Sequence, residues 1–195
     1  MKAFLLFSSL LIANIITPAQ AMDEAQYNEA DARYLAAVNG NKNSVQKAIR
    51  YFDKLTVPTP YNTLIKSYRG SLESIMATHV YMPWNKMKHV ELGSEQMDEA
   101  LDELTEIHDT TKLNGTSLSL LIRLNIAHSY FQFPSFLNRY QDAKDLISDM
   151  LETPQFSSAN IEVKNNVYEL AATTAGKDGD KQKQTDFLSK IQSDD

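Results

Sequence analysis

The sequence predicts an all-α protein beyond its first 21 residues, and three observations carry that prediction. Apolar residues recur at three- and four-residue steps, and no run alternates at the two-residue period of a half-buried strand. The few glycines and prolines fall mostly between the periodic segments.

The elements follow in order. A first helix runs from about Glu24 to Val38 and stops at Asn39-Gly40-Asn41, a helix-ending signal. Ser44 is placed to cap a second, about Val45 to Leu55, which Pro58 and Pro60 stop. A third spans about Tyr61 to Tyr81, with Leu64, Ile65, Tyr68, Leu72, Ile75 and Met76 at the spacing of a buried face, and Pro83 ends it. A fourth, about Trp84 to Ile107, carries Met87, Val90, Met97, Leu101 and Leu104, with Gly93 as a local relaxation. After Asn114-Gly115, the segment Leu118–Phe131 is apolar on most sides and is expected to be the central, most buried helix. A sixth helix opens at Pro134 and runs to about Leu151, closed by Pro154, and a seventh covers about Ala159 to Ala175. A polar break precedes a short last helix, Lys181–Ile191, and residues 176–195 are expected to fray.

Met1–Ala21 reads as a secretory signal peptide: Lys2, an apolar stretch from Ala3 to Ile16, Pro18, and the small-x-small pattern Ala19-Gln20-Ala21. Cleavage after Ala21 leaves one helical domain, residues 22–195, in the periplasm or outside the cell, with no stable membrane insertion. The formal charge is −6, and loss of Lys2 with the leader makes it about −7, with lysines and arginines scattered among acids. Such a surface disfavours nucleic acid, which needs a concentrated basic face. There is no cysteine, which excludes a thiol nucleophile, a zinc–thiolate site, a disulfide scaffold and a lipidated cysteine after the leader. The fold must then be held by its hydrophobic core.

The predicted helices form about four antiparallel pairs, and the second helix of three pairs shares a register. Val45–Phe52, Met97–Leu104 and Tyr140–Ile147 each place an alanine (Ala48, Ala100, Ala143) three residues after a bulky residue. A large apolar residue (Phe52, Leu104, Ile147) follows four after the alanine. Pro60 lies twelve residues after Ala48, and the matching third-pair position, Gln155, lies beside Pro154. Ala127 followed by Tyr130 supplies a small-x-x-Tyr feature in a first helix. Over about Asp31 to Gln155 this resembles the tetratricopeptide repeat family, at spacings of 52 and 43 residues in place of that family's roughly 34. The resemblance implies helix pairs stacked as a short right-handed solenoid whose first helices line a concave, peptide-binding side. Matching Gly70 to Ala127 puts Ser67, Ser71 and Ser74 on that side from one helix and Leu124, His128 and Phe131 from the other. That face lacks the Lys/Asn/Arg set with which some tetratricopeptide domains clamp a terminal carboxylate. The expected groove ligand is therefore an apolar or aromatic segment.

Motifs for chemistry are absent. There is no nucleotide loop, no nucleophile elbow and no His-Glu-x-x-His, and no cofactor is expected. His79, His89, His108 and His128 are never three or four apart, so no two share a helix face at ligand spacing. The acids from Asp98 to Asp109 read as a solvated helix face. Trp84, the single tryptophan, has two readings: an exposed anchor with Arg69 and Lys86 beside it, or a ring packed under the Pro83 turn, which is the one expected. The aromatic run Tyr130, Phe131, Phe133, Phe136 and Tyr140 is expected to be an inter-helix core.

The expectation is a non-catalytic exported module that engages a protein or peptide of the cell envelope. Its candidate partner-binding residues are Tyr68, Arg69, Ser71, Trp84, Lys86, His128 and Phe131. The alternative is a carrier of a small ligand or metal, with a pocket near His79, His89 and His128. A third reading, a helical hydrolase, calls for a cleft holding a carboxyl of strongly shifted pKa.

Overall fold

The computed structural model describes residues 22–192, so the leader lies outside the described residues. Among them the protein is all-α with one two-stranded hairpin. Its helices are α1 (Glu24–Val38), α2 (Lys42–Lys54), α3 (Tyr61–Met76), α4 (Pro83–Asp102), α5 (Glu106–Thr110), α6 (Leu118–Gln132), α7 (Tyr140–Glu152), α8 (Pro154–Ser157), α9 (Ile161–Lys177) and α10 (Lys181–Leu188).

Side-chain caps set several helix starts. Asp23 accepts from the Gln26 amide at 2.7 Å while Gln26 reaches back to the Asp23 N–H, a reciprocal cap on α1. Asn41, and not Ser44, caps the second helix, accepting from the Asn43 and Ser44 amides, so α2 starts at Lys42. Ser117 and Asn160 cap α6 and α9.

The middle of the chain is more broken than the sequence pattern indicates. α3 ends at Met76 and a 3₁₀ turn, Ala77–His79, follows. The predicted fourth helix divides: α4 stops at Asp102, and Thr105 with His108 caps the separate α5. Lys112–Leu113 then pairs antiparallel with Thr116–Ser117 across Asn114-Gly115, both at positive φ (46° and 78°). That is the conformation a two-residue hairpin turn needs, and two-residue strands are too short to show a period. Pro134 opens only a 3₁₀ turn, Ser135–Leu137, because Asn138 adopts a left-handed conformation (φ 54°), so α7 begins at Tyr140.

α3 and α4 run antiparallel and very close. Thr63 and Lys66 bond Glu103, Lys66 also bonds Glu99, Gly70 meets Gly93 and Glu73 meets His89, in opposite order along the two helices. A Cβ on Gly93 would lie 2.2 Å from Ser74 Oγ and 2.5 Å from the Gly70 carbonyl, and one on Gly70 would lie 2.8 Å from the Gly93 carbonyl. Gly93 is therefore a crossing point and not a relaxation of α4. The alanines of the shared register are all buried, as are Phe52 and Ile147, with Leu104 partly covered.

α6 is deeply buried as expected, ten of its fifteen residues, but α3 matches it with eleven of sixteen. The buried side of α3 includes Thr63, Ser67, Gly70, Ser71 and Ser74, which hydropathy does not register. The acidic run is only partly a solvated face. Asp98 receives the Tyr130 hydroxyl at 2.6 Å and the Arg139 guanidinium, and Lys66 bonds Glu99 and Glu103. α10 has no buried residue, yet Phe187 faces Tyr168 and the Gln192 backbone is bonded by Asn165.

Candidate functional site

α1, α3 and α6 lie side by side, and their shared face opens into a groove of about 710 Å³, closed at its edges by the first turns of α4 and the start of α9. On α1 the groove residues are Tyr27, Asn28, Asp31, Tyr34, Leu35 and Val38, one helical face. α3 contributes Tyr68, Ser71, Ser74, Ile75 and, one turn beyond, Thr78; α6 contributes Leu121, Leu124, Asn125, His128, Ser129 and Gln132.

The floor is polar and internally bonded. Tyr34 and Tyr68 stack with ring centres 4.5 Å apart and planes 12° from parallel. The Tyr68 hydroxyl donates to Asp31 Oδ1 at 2.9 Å. Tyr34 Oη and Ser71 Oγ are 2.8 Å apart, and Ser129 Oγ lies 2.8 Å from Ser71 Oγ and 3.0 Å from the Asn125 carbonyl. Asn125 Nδ2 donates to Ser67 Oγ, which itself donates to the Leu64 carbonyl. Asn125 Oδ1 is buried with no partner. At the rim, Asn114 Nδ2 donates to Asn28 at 2.7 Å and Asn160 donates to the Asn114 carbonyl, tying the hairpin turn to α1 and α9.

Burial raises the pKa of Asp31, with the Tyr68 hydrogen bond opposing it. Burial also pushes Tyr34 and Tyr27 up to about 12 and Tyr68 well above its ordinary value, so all three phenols stay neutral. Burial lowers His128, with Glu169 opposing, which favours the neutral imidazole.

The candidate residues divide. Tyr68, Ser71, Lys86 and His128 line the groove. Arg69 points away, its Nε 2.6 Å from Asp53. Phe131 lies off the groove against Tyr140, with the Lys177 ammonium 4.7 Å from its ring centre. Ser67 is fully buried beneath the floor. Both helices are rotated in the same sense from the expected face, by less than one residue step (~100°), which brings in Tyr68 from α3 and Asn125, Ser129 and Gln132 from α6. Trp84 is not packed under its turn: it is 67% exposed, with Tyr81 at 94% on the same turn, because Pro83 starts α4 with these rings directed outward. The aromatic run is split. Tyr130 is buried, Phe133 packs on it at 5.6 Å, and Phe136 is 71% exposed at the groove edge.

The histidines do not converge. His89 bonds Glu73 at 2.9 Å, His108 is buried against Thr63 and Thr105, and His128 faces the groove. Among the described residues no group of three or more His, Asp or Glu side chains could hold a metal ion. The same residues contain no helix long and apolar enough to cross a membrane. The whole α1 contribution was not picked out from sequence, although Tyr27, Asp31, Tyr34 and Val38 sit three and four apart there. Comparison with protein-family models, with curated proteins and with solved structures finds no match.

Proposed function

We propose that this chain is a non-catalytic binding module, exported and acting in the cell envelope, that takes an extended segment of a protein partner into the groove. The observation that carries the reading is the open groove of about 710 Å³ with the exposed ring of Phe136 at its edge and the exposed Trp84 on the first turn of α4, the turn that also supplies Lys86 to the groove. Large rings held in water cost free energy and are characteristic anchors of interfaces. The tetratricopeptide-like arrangement belongs to the same proposal. Supporting it are the consecutive helix pairs α3/α4, α6/α7 and α9/α10 and the contact of α3 with both α1 and α6; in a tetratricopeptide-like stack the groove would be the peptide-binding side.

The chemistry of the groove favours binding over turnover. Its serine hydroxyls bond one another and backbone carbonyls, and His128 bonds none of them among the described residues. Asp31 meets one requirement of a hydrolase, a cleft carboxyl of raised pKa, but one of its oxygens is held by Tyr68 and it bonds no nucleophile.

Site-specific photo-crosslinking in source cells tests the reading. A crosslinking residue replacing Gln132, in the groove, or Trp84, exposed on the first turn of α4, is expected to capture one protein. The same residue replacing Lys47, on the exposed side of α2, is expected to capture none, and a Leu124→Arg variant that still folds should lose the capture. Equal capture from the Lys47 position, or capture indifferent to Leu124→Arg, would sink the reading.

A further inference from the structure

We infer that the α1 end of the groove is a subsite for a cationic group, an ammonium or guanidinium carried on an apolar body. This rests on the groove reading above and names the chemistry the groove selects. Asp31 is partly buried there, has no basic partner within 4.0 Å among the described residues and is held by the neutral Tyr68 hydroxyl through one oxygen. Glu162, at the start of α9, lines the same end, and Tyr27 feels the charge of both acids.

The remaining hydrogen-bonding capacity points the same way. Most of the floor's protons are already committed: Tyr68 donates to Asp31, Ser67 to the Leu64 carbonyl and one Asn125 Nδ2 proton to Ser67, while the Tyr34, Ser71 and Ser129 hydroxyls form a chain that ends on the Asn125 carbonyl. Two acceptors remain without a donor, the second oxygen of Asp31 and the buried Asn125 Oδ1. A buried acceptor with no donor is costly, and a ligand bearing several N–H groups satisfies it. The tyrosines at this end add ring surface of the kind that favours a cation.

The groove is not uniformly acidic, which makes the inference specific to one end. Lys86 lines it too, but on the first turn of α4, which the antiparallel register places beside the C-terminal end of α3. From Tyr68 to that end, at Thr78, is ten residues of helix and turn, about 15 Å. Asp31 and Lys86 therefore face opposite ends of the bound segment. An acidic group at the Asp31 end would meet two carboxylates.

The test uses blocked tripeptides of nearly the same shape that differ in charge and in one donor group: acetyl-Phe-Arg-Phe-amide and its neutral citrulline counterpart, titrated calorimetrically into residues 22–195. The arginine peptide is expected to bind at least tenfold more tightly. Asp31→Asn, which keeps an acceptor for Tyr68, should erase the difference, Glu162→Gln should reduce it, and Asp53→Asn, outside the groove, should leave it intact. Phenethylammonium as a third titrant separates the sources: affinity equal to the peptide's identifies a free amine, and weaker binding identifies a basic side chain. Equal binding of the arginine and citrulline peptides overturns the cation subsite while leaving the groove reading standing. Absence of binding by all three probes at millimolar concentration also overturns it, and the crosslinking experiment then decides the groove separately. A preference that survives Asp31→Asn and Glu162→Gln overturns the assignment to these two acids.

Discussion

Asp31 holds a carboxyl whose proton is bound more tightly in the folded chain than in water, because burial disfavours the charge. The sign of its effect on stability follows. The folded state binds more protons than the unfolded one between the ordinary carboxylate range and the raised value, so this residue's contribution falls as pH rises through that window. Above the window the ionised side chain is a standing cost. Asp31→Asn is therefore expected to raise the thermal midpoint at neutral pH and to lose that advantage below the ordinary carboxylate range, as followed by circular dichroism. A destabilised Asn variant at neutral pH would show that Asp31 serves the fold and not a ligand. The binding itself should weaken in acid. Asp31 gains its proton, His128, facing the same groove, becomes cationic, and Tyr27, Tyr34 and Tyr68 stay neutral throughout. Glu162 and Lys86 are the other charged groups that face the groove. Calorimetry of the arginine peptide across the acid range checks it.

Among the elements, α3 and α4 depend on one crossing. Backbone meets backbone at Gly70 and Gly93, and Ser74 donates to the Gly70 carbonyl in the same place. Gly93→Ala gains helix propensity of about 1 kcal/mol. It must nevertheless push apart two helices whose contact atoms are mainly backbone, an overpacking cost of about 1–3 kcal/mol. The expected net result is a lower melting temperature, with each 1 kcal/mol worth about 2–4 °C in a chain of this size. Because α3 and α4 both border the groove, the same variant should weaken peptide binding. α10 is at the other extreme, with no buried residue and packed on α9 through Gln184 against Gly176, Phe187 against Tyr168 and the Asn165–Gln192 bonds just beyond its end. Native-state hydrogen exchange should show α10 opening most readily and the buried amides of α6 last. Slow exchange throughout α10 would contradict this.

At the level of the whole molecule, the exposed Trp84 is the only tryptophan and sits on the first turn of α4, the same turn as the groove residue Lys86, so it is a probe for a partner that extends past the groove. Its emission should be that of a solvated indole in the free protein and should shift to shorter wavelength when a partner covers it. The all-α class, the buried alanine register and the depth of α6 were legible in the sequence because they rest on spacing along one helix. The break at Thr105, the 3₁₀ start after Pro134 and the tiny hairpin were not, since each turns on a single cap or left-handed residue. Half of the candidate site was legible in the same partial way. Tyr68, Ser71, Lys86 and His128 share the groove, whereas Arg69 and Phe131 found partners on other faces.

The sequence by itself determined that this chain forms helices, which faces of those helices are apolar, and that no cysteine chemistry or disulfide is open to it. Only the tertiary structure decided that α1 supplies an acid and two tyrosines to a groove shared with α3 and α6. The reason is physical. Helix periodicity is a local property with a repeat of about 3.6 residues, readable within one segment. The meeting of Asp31 with Tyr68, 37 positions away, depends instead on the rotation of α1 and α3 about their axes, set for α3 by its glycine crossing with α4 and between the two by tyrosine and serine hydroxyls that leave no hydropathic trace.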